Sequence, residues 1–173
     1  RWLAEKMNGK AKIFELQGTI DSAPAIDRKK GFEEVIADYP KMKIIKSQTG
    51  DFTRSMGKEV MEDFLKAEGK NIDALFAHND DMAIGAIQAI KEAGLKPGKD
   101  IIIVSVDAVK GAFVAMMTGE LNCSAECSPL LGPQLVEAIH DLRDGRKLPG
   151  RIWTIEGVFD QTTAAEAFPT RQY

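Results

Sequence analysis

The stretch "IDALFAHNDDMAIGAIQAIKEAG", residues 72–94, passes from a short apolar run directly into a helical pattern. The run that begins at Ile72 predicts a buried strand, and apolar residues then recur with helical spacing until Gly94, a residue type that commonly ends helices. Four polar residues lie at the junction. They are His78, Asn79, Asp80 and Asp81.

The same strand-then-helix rhythm recurs along the whole chain. Five such units without hairpin signals between them predict an α/β fold, a doubly wound parallel sheet with right-handed crossovers. The stretch "DIIIVSVD", residues 100–107, is almost unbroken in β-branched residues, which predicts a strand covered on both faces. The other predicted strands are "KIFELQG" (12–18), "MKIIKSQTG" (42–50) and "CSAE" (123–126).

Composition disfavours several classes of function. The chain has 23 Lys and Arg against 26 Asp and Glu, a net charge of −3, so we expect neither nucleic acid nor an anionic membrane surface as a partner. No G-x-G-x-x-G, P-loop or G-x-S-x-G motif occurs, and neither histidine has an evident nucleophile beside it. We therefore expect no cofactor, no catalytic site and no enzyme activity.

Two cysteines, Cys123 and Cys127, are four residues apart. Two thiolates alone are a poor metal site, so no metal is expected. A disulfide would require a sharp turn, because four residues of extended strand span about 13 Å. Free thiols on a strand are the simpler interpretation, and a bridge stays open.

The residues that follow the predicted strands are the candidate site. In an open parallel sheet the carboxyl ends of the strands share one edge, and ligands bind in the crevice outside it. Carboxylates, an amide and an aromatic ring at that edge suit a neutral polyhydroxylated ligand. The groups concerned are residues 18–21, 49–52 and 78–81, with Asp107 and Glu126.

Structural roles for the same residues stay open at this point. Asp80, Asp81 or Asn79 could cap the helix that follows them. Arg28 could be a solvated surface charge, and Phe52 could be a hydrophobic staple at the start of a helix.

Five motifs together resemble, in order and spacing, the second lobe of periplasmic sugar-binding proteins of the ribose-binding type, which serve ABC importers. Within that family the chain is most similar to the galactofuranose-binding members, from Lys12 to the end of the sequence. The motifs are "LQGTIDSAPAIDRKKGF" (16–32), "GDFTR" (50–54), "FAHNDDMAIGA" (76–86), "IIIVSVDA" (101–108) and "CSAE".

The resemblance implies a sugar held between two lobes. Its contacts would fall on Arg28, Phe52, Asn79 and Asp107: a guanidinium fork, a stacking ring, and an amide and a carboxylate that bind hydroxyls. Asn79 would then face the sugar, and Asp80 or Asp81 would cap the helix. Glu126 stands where ribose binders have a glutamine, which implies a different arrangement of hydroxyls or a different sugar.

The resemblance also implies a division of the chain, with the first lobe missing. Residues 1–128 would form the second lobe, and residues 129–173 would return to complete the absent first lobe. The helical face formed by Leu135, Ile139 and Leu142 would be left uncovered and would favour swapping or dimerisation.

The expected function is therefore that of a non-enzymatic periplasmic protein, exported by a signal peptide, that delivers a monosaccharide to an inner-membrane ABC permease. The alternative is the effector-sensing core of a LacI-type transcription regulator, which has the same fold. An α/β enzyme acting on a small polar substrate is a third, less favoured hypothesis.

Overall fold

The computed structural model describes residues 1–173 and contains one six-stranded sheet with helices on both faces. The strands are β1 (Lys10–Gln17), β2 (Lys41–Thr49), β3 (Ala74–Ala77), β4 (Ile102–Asp107), β5 (Cys123–Glu126) and β6 (Val158–Asp160). The helices are α1 (Trp2–Lys6), α2 (Ala23–Ala37), α3 (Arg54–Glu68), α4 (Asp80–Glu92), α5 (Lys110–Met117), α6 (Gly132–Arg143) and α7 (Ala164–Ala167), followed by a 3₁₀ turn at Phe168–Thr170.

The sheet has the strand order β2-β1-β3-β4-β5-β6. The first five of these strands pair in parallel, which confirms the predicted doubly wound α/β fold. β6 pairs antiparallel with β5 at the edge of the sheet. Successive strands are added on one side of β1 up to β2 and on its other side from β3 onward, so the strand order reverses between β1 and β3. A ligand crevice is expected at the carboxyl edge near these two strands.

Both faces of the central strands are buried. On β4, Ile103 belongs to one hydrophobic cluster and the adjacent Val104 to another, as expected for side chains that alternate across a sheet. The larger cluster joins the sheet to α3, α4 and α5, and the smaller one joins it to α1 and α2. The prediction that β4 is covered on both faces is confirmed.

Two glycines allow α3 and α4 to approach closely near the carboxyl edge of the sheet. A Cβ atom at Gly85 would lie 2.0 Å from the carbonyl oxygen of Arg54, and one at Gly57 would lie 2.6 Å from the Met82 backbone. Any larger side chain would push the helices apart. This close approach fixes the residues before α3 relative to those before α4.

The predicted division of the chain needs correction at its far end. Residues 158–160 form β6 and pair with β5 of this same sheet, and Ala164 is fully buried in the larger hydrophobic cluster. Residues 158–173 therefore belong to this lobe, because β6 satisfies the backbone groups at the edge of β5. In contrast, α6 buries none of its residues.

Two smaller findings concern the cysteines and the helices. Cys123 is buried and Cys127 is exposed, and both are free thiols, as the simpler interpretation predicted. Burial raises the pKa of the Cys123 thiol to about 12. None of the helices combines the length and the apolar character that a membrane crossing requires.

Candidate functional site

Four of the five predicted site residues meet at the carboxyl edge of the sheet. The Arg28 Nη2 atom lies 2.7 Å from Asp107 Oδ1, and Arg28 Nη1 donates to the His78 carbonyl oxygen. The guanidinium carbon lies 5.6 Å from the centre of the Phe52 ring, and Asn79 Nδ2 donates to the Phe52 carbonyl oxygen at 3.0 Å. Only 16% of the Arg28 side chain is exposed, so it is not a solvated surface charge.

Phe52 is placed by strained backbone and by a neighbouring glycine. Its φ of 58° lies in the left-handed region, which costs about 1–3 kcal/mol for a non-glycine residue. Its ring packs directly on Gly18, where a Cβ atom would lie 1.9 Å from the ring. The alternative of a hydrophobic staple is wrong, because the staple's partner position in α3 is Gly57, which has no side chain.

Asn79, and neither Asp80 nor Asp81, caps α4. Its backbone is extended, and its Oδ1 accepts a hydrogen bond from the Met82 amide at 3.0 Å. The prediction that one of the two aspartates caps this helix is therefore wrong. Since a side-chain amide has two donor and two acceptor positions, Asn79 keeps one N–H and one lone pair after bonding Met82 and Phe52.

The two aspartates have different partners. Asp81 forms an exposed ion pair with Arg54, whose Nη2 lies 2.6 Å from Asp81 Oδ1. Asp80 is fully buried and accepts hydrogen bonds from the hydroxyls of Ser105 and Ser124 and from the Val109 amide. Burial raises the pKa of Asp80 to about 6, against the lowering effect of these bonds. Asp80 thus joins the start of α4 to β4, to β5 and to the turn after β4.

Asp107 lies at the end of β4 in a backbone conformation with φ of 118°. Its side chain is 27% exposed and uses only Oδ1 to pair with Arg28. Burial raises its pKa, the Arg28 guanidinium opposes that rise, and the Asp81 charge adds to it. Asp107 therefore presents a partly desolvated carboxylate. A hydrogen bond that a ligand donates to such a carboxylate is stronger than one in water.

A buried ionic layer beneath the site was missed by the sequence analysis. Glu15 on β1 is fully buried, with Oε1 3.2 Å from His78 Nε2 and Oε2 3.0 Å from Lys29 Nζ, and it also accepts from the Ser47 hydroxyl. His78 Nδ1 accepts a hydrogen bond from the Gly18 amide at 3.3 Å. The proton of the ring is therefore on Nε2, which donates a hydrogen bond to Glu15.

The charge of Glu15 is strongly stabilised. Burial alone raises its pKa, but hydrogen bonds from His78, Ser47 and Lys29 outweigh burial and lower the pKa to about 2. The His78 carbonyl oxygen accepts a hydrogen bond from Arg28, so this buried layer helps to hold the Arg28 guanidinium in the site. The only sequence signal for it is a glutamate between the apolar residues Phe14 and Leu16 in the strand "KIFELQG".

Glu126 is the one predicted residue that forms its contacts elsewhere. It is the register neighbour of Asp107 on the adjacent strand. Its Oε1 lies 2.7 Å from Arg171 Nη1 and accepts from the Tyr173 hydroxyl at 2.8 Å, and its Oε2 accepts from the Gly157 amide at 2.9 Å. A contact between Glu126 and a ligand stays a prediction.

The chemistry of the assembled site is that of polar recognition. It offers a guanidinium, a carboxylate and an amide with spare hydrogen-bonding positions, beside the face of an aromatic ring. These groups match the hydroxyls and the C–H patches of a small carbohydrate. No group of three or more His, Cys, Asp and Glu side chains is placed to hold a metal ion.

Comparisons with known proteins agree with this chemistry. A model of the periplasmic binding protein domain matches residues 1–147. The galactofuranose-binding protein of Escherichia coli (strain K12) is 54% identical over 154 residues, which are 87% of this chain and 48% of that protein. The ribose import binding protein of Bacillus subtilis (strain 168) is 35% identical over 152 residues, 87% of this chain and 48% of that protein.

Solved structures give the same result. The periplasmic binding protein component of the arabinose ABC transporter from Shewanella sp. ANA-3, bound to α- and β-L-arabinofuranose, matches with a TM-score of 0.93 and 53% identity over 99% of this chain and 57% of that one. The crystal structure of a galactofuranose binding protein matches with a TM-score of 0.92 and 52% identity, over 98% of this chain and 59% of that one.

The chain spans about half the length of the curated relatives it matches. These relatives are sugar-binding proteins, two of which are named as components of ribose import or of an arabinose ABC transporter, and they give the transcription-regulator alternative no support. The resemblance stated from the motifs is confirmed, and the chain belongs to the family of periplasmic binding protein domains.

Proposed function

We propose that this chain is the sugar-binding lobe of a periplasmic solute-binding protein, which captures a monosaccharide and delivers it to an ABC permease of the inner membrane. The sugar would be galactofuranose or a similar one, since the relatives bind galactofuranose and arabinofuranose. The observation that supports this most is the Arg28–Asp107 pair beside Phe52 and Asn79. The protein would bind its sugar without converting it.

Each residue would have a distinct role in sugar binding. Asp107 would accept from one or two hydroxyls, Arg28 would donate to a hydroxyl or ring oxygen, and Asn79 would use its remaining N–H and lone pair. Phe52 would cover an apolar patch of the sugar. Hydrogen bonds to charged groups contribute roughly 1.5–3 kcal/mol each, so a few of them are enough for micromolar affinity.

The sugar would be enclosed by closure of a second lobe over this one. Hinge closure around a ligand is the usual motion of such binding proteins. Residues 129–157 would contribute to that other lobe, because α6 buries none of its residues against the sheet described above. The uncovered side chains include Leu135, Ile139 and Leu142, which are 61%, 54% and 60% exposed.

The uncovered face of α6 predicts self-association of the 173-residue chain when it is produced alone. Light scattering should show dimers or larger species, and Leu135→Asp with Ile139→Asp should restore the monomer. The same chain joined to a first lobe should be monomeric without these substitutions. A clean monomer of the chain alone that binds no apolar dye would contradict this expectation.

The proposed function is tested by calorimetric titration of the two-lobed protein with ribose, arabinose, galactose and glucose. We expect micromolar or tighter binding of one of them, with galactose and arabinose the first candidates. Asp63→Ala, an exposed residue that pairs only with Lys66 on α3, should bind with wild-type affinity. If no sugar of the panel binds, the proposal is wrong.

A further inference from the structure

The segment that ends the described chain folds back onto the turn that follows β4. The Lys110 amide donates to the Tyr173 carbonyl oxygen at 2.8 Å. Arg171 Nη2 donates to the Ala108 carbonyl oxygen at 3.0 Å, while Nη1 lies 2.7 Å from Glu126 Oε1. A residue 63 positions away in sequence thus bonds the residue directly after Asp107.

Arg171 is held in a nearly closed aromatic cage. Its side chain is 9% exposed, and its guanidinium carbon lies 5.1 Å from the ring centre of Phe113, 5.2 Å from that of Phe159 and 4.7 Å from that of Tyr173. A cation over aromatic faces is attracted more strongly when it is desolvated. The guanidinium is therefore fixed in position, with Glu126 balancing its charge.

The backbone to which Arg171 donates is strained. Asp107 and Ala108 have φ values of 118° and 58°, both in the left-handed region that non-glycine residues rarely adopt. Such conformations persist only where surrounding contacts hold them. On the amide side of this residue, the Ala108 N–H donates a hydrogen bond to the Ser124 hydroxyl of β5 at 3.1 Å. Arg171 supplies the contact on the carbonyl side.

We propose that Arg171 is a positioning residue for sugar binding: it holds the strained turn at Ala108 and thereby sets the direction of the Asp107 carboxylate. Glu126 is the counter-charge of Arg171 and supports the same turn through that residue. This inference rests on the proposed function for its effect on affinity. Its structural part, the holding of the turn, is independent of any ligand.

Lysine could not replace Arg171 in this role. Arg171 donates to three separate acceptors, the Ala108 carbonyl, Glu126 and the Tyr173 hydroxyl, and its flat face contacts the rings. A lysine ammonium is a compact charge without this planar fork. Arg171→Lys therefore keeps the charge and removes the geometry, which makes it a more informative variant than Arg171→Ala.

The first test measures hydrogen exchange of the Ala108 and Val109 amides in the 173-residue chain without ligand. In Arg171→Lys these two amides should exchange about tenfold faster than in wild type, because their turn is less firmly held. The Leu75 amide in the centre of the sheet should be unchanged. Arg54→Lys, the same change at an arginine with an exposed ion pair, should alter neither amide. Unchanged exchange in Arg171→Lys would overturn the proposal.

The second test is a double-mutant cycle on sugar affinity in the two-lobed protein. Arg171→Lys should raise Kd about tenfold in the wild-type background and should have no further effect in the Asp107→Ala background. An equal loss of sugar affinity in both backgrounds would show that Arg171 does not act through Asp107, and it would overturn the proposal. Should the wild-type protein bind no sugar, the proposed function fails, and the exchange measurement still decides whether Arg171 holds the turn.

Discussion

Asp107→Ala is expected to raise the Kd for the bound monosaccharide about 100-fold in the two-lobed protein. The substitution removes a partly desolvated carboxylate that would accept from sugar hydroxyls. It also leaves Arg28, only 16% exposed, without its ion-pair partner. The guanidinium would then rotate away from the position that suits a sugar oxygen. Calorimetric titration gives the change in Kd directly.

Two further variants separate binding from folding in this experiment. Asp107→Asn keeps the shape of the side chain but lacks the charge, so its affinity should fall between those of wild type and Asp107→Ala. Asn79→Ala should weaken binding and also lower the melting temperature, because Asn79 caps α4. If Asp107→Ala lowers the melting temperature while affinity stays unchanged, Asp107 stabilises the turn and does not contact the sugar.

Glu15→Leu is expected to destabilise the fold by about 3–5 kcal/mol, a loss typical of breaking a buried ion pair from one side. Glu15 is fully buried, and its removal leaves Lys29 and His78 without their acceptor. The free energy of unfolding from urea titration measures the loss. Glu33→Leu is the matched control, since Glu33 also pairs with Lys29 but is 49% exposed, and exposed pairs contribute about 0–1 kcal/mol.

The contribution of Glu15 should depend on pH with a definite sign. Its pKa is about 2 in the folded protein against an ordinary value of 4.5, so the folded state favours the charged form. This stabilisation is fully present above about pH 4.5 and is lost as the pH falls towards 2. The difference in stability between wild type and Glu15→Gln should therefore shrink over that range. A difference that does not change with pH would show that the Glu15 charge is not responsible.

The fold and the location of the site could be predicted because both follow from patterns that extend over many residues. Helical and strand periodicities repeat five times, and the rule for parallel sheets then puts Asn79 and Asp107 at one edge. The resemblance added Arg28, which lies on a helix and carries no such signal of its own. The structure brings its guanidinium to the carboxyl edge through the Asp107 pair.

The errors arose where neighbouring residues could exchange roles or where a signal was too short. Asn79, Asp80 and Asp81 are all good caps by residue type, and only the backbone conformation shows that Asn79 is at the cap position. β6 has three residues, fewer than a periodic pattern needs. Glu126 ends a strand in the same way as Asp107, yet Arg171, far away in sequence, determines its contacts.

The most direct test of the proposed site is to follow backbone amide chemical shifts of the isotope-labelled two-lobed protein while arabinose or galactose is added. The proposed site predicts saturable shifts at Phe52, Asn79 and Asp107, and their loss in Asp107→Ala. Shifts that spare these three residues and occur instead elsewhere on the lobe, or no shifts at all, would contradict it.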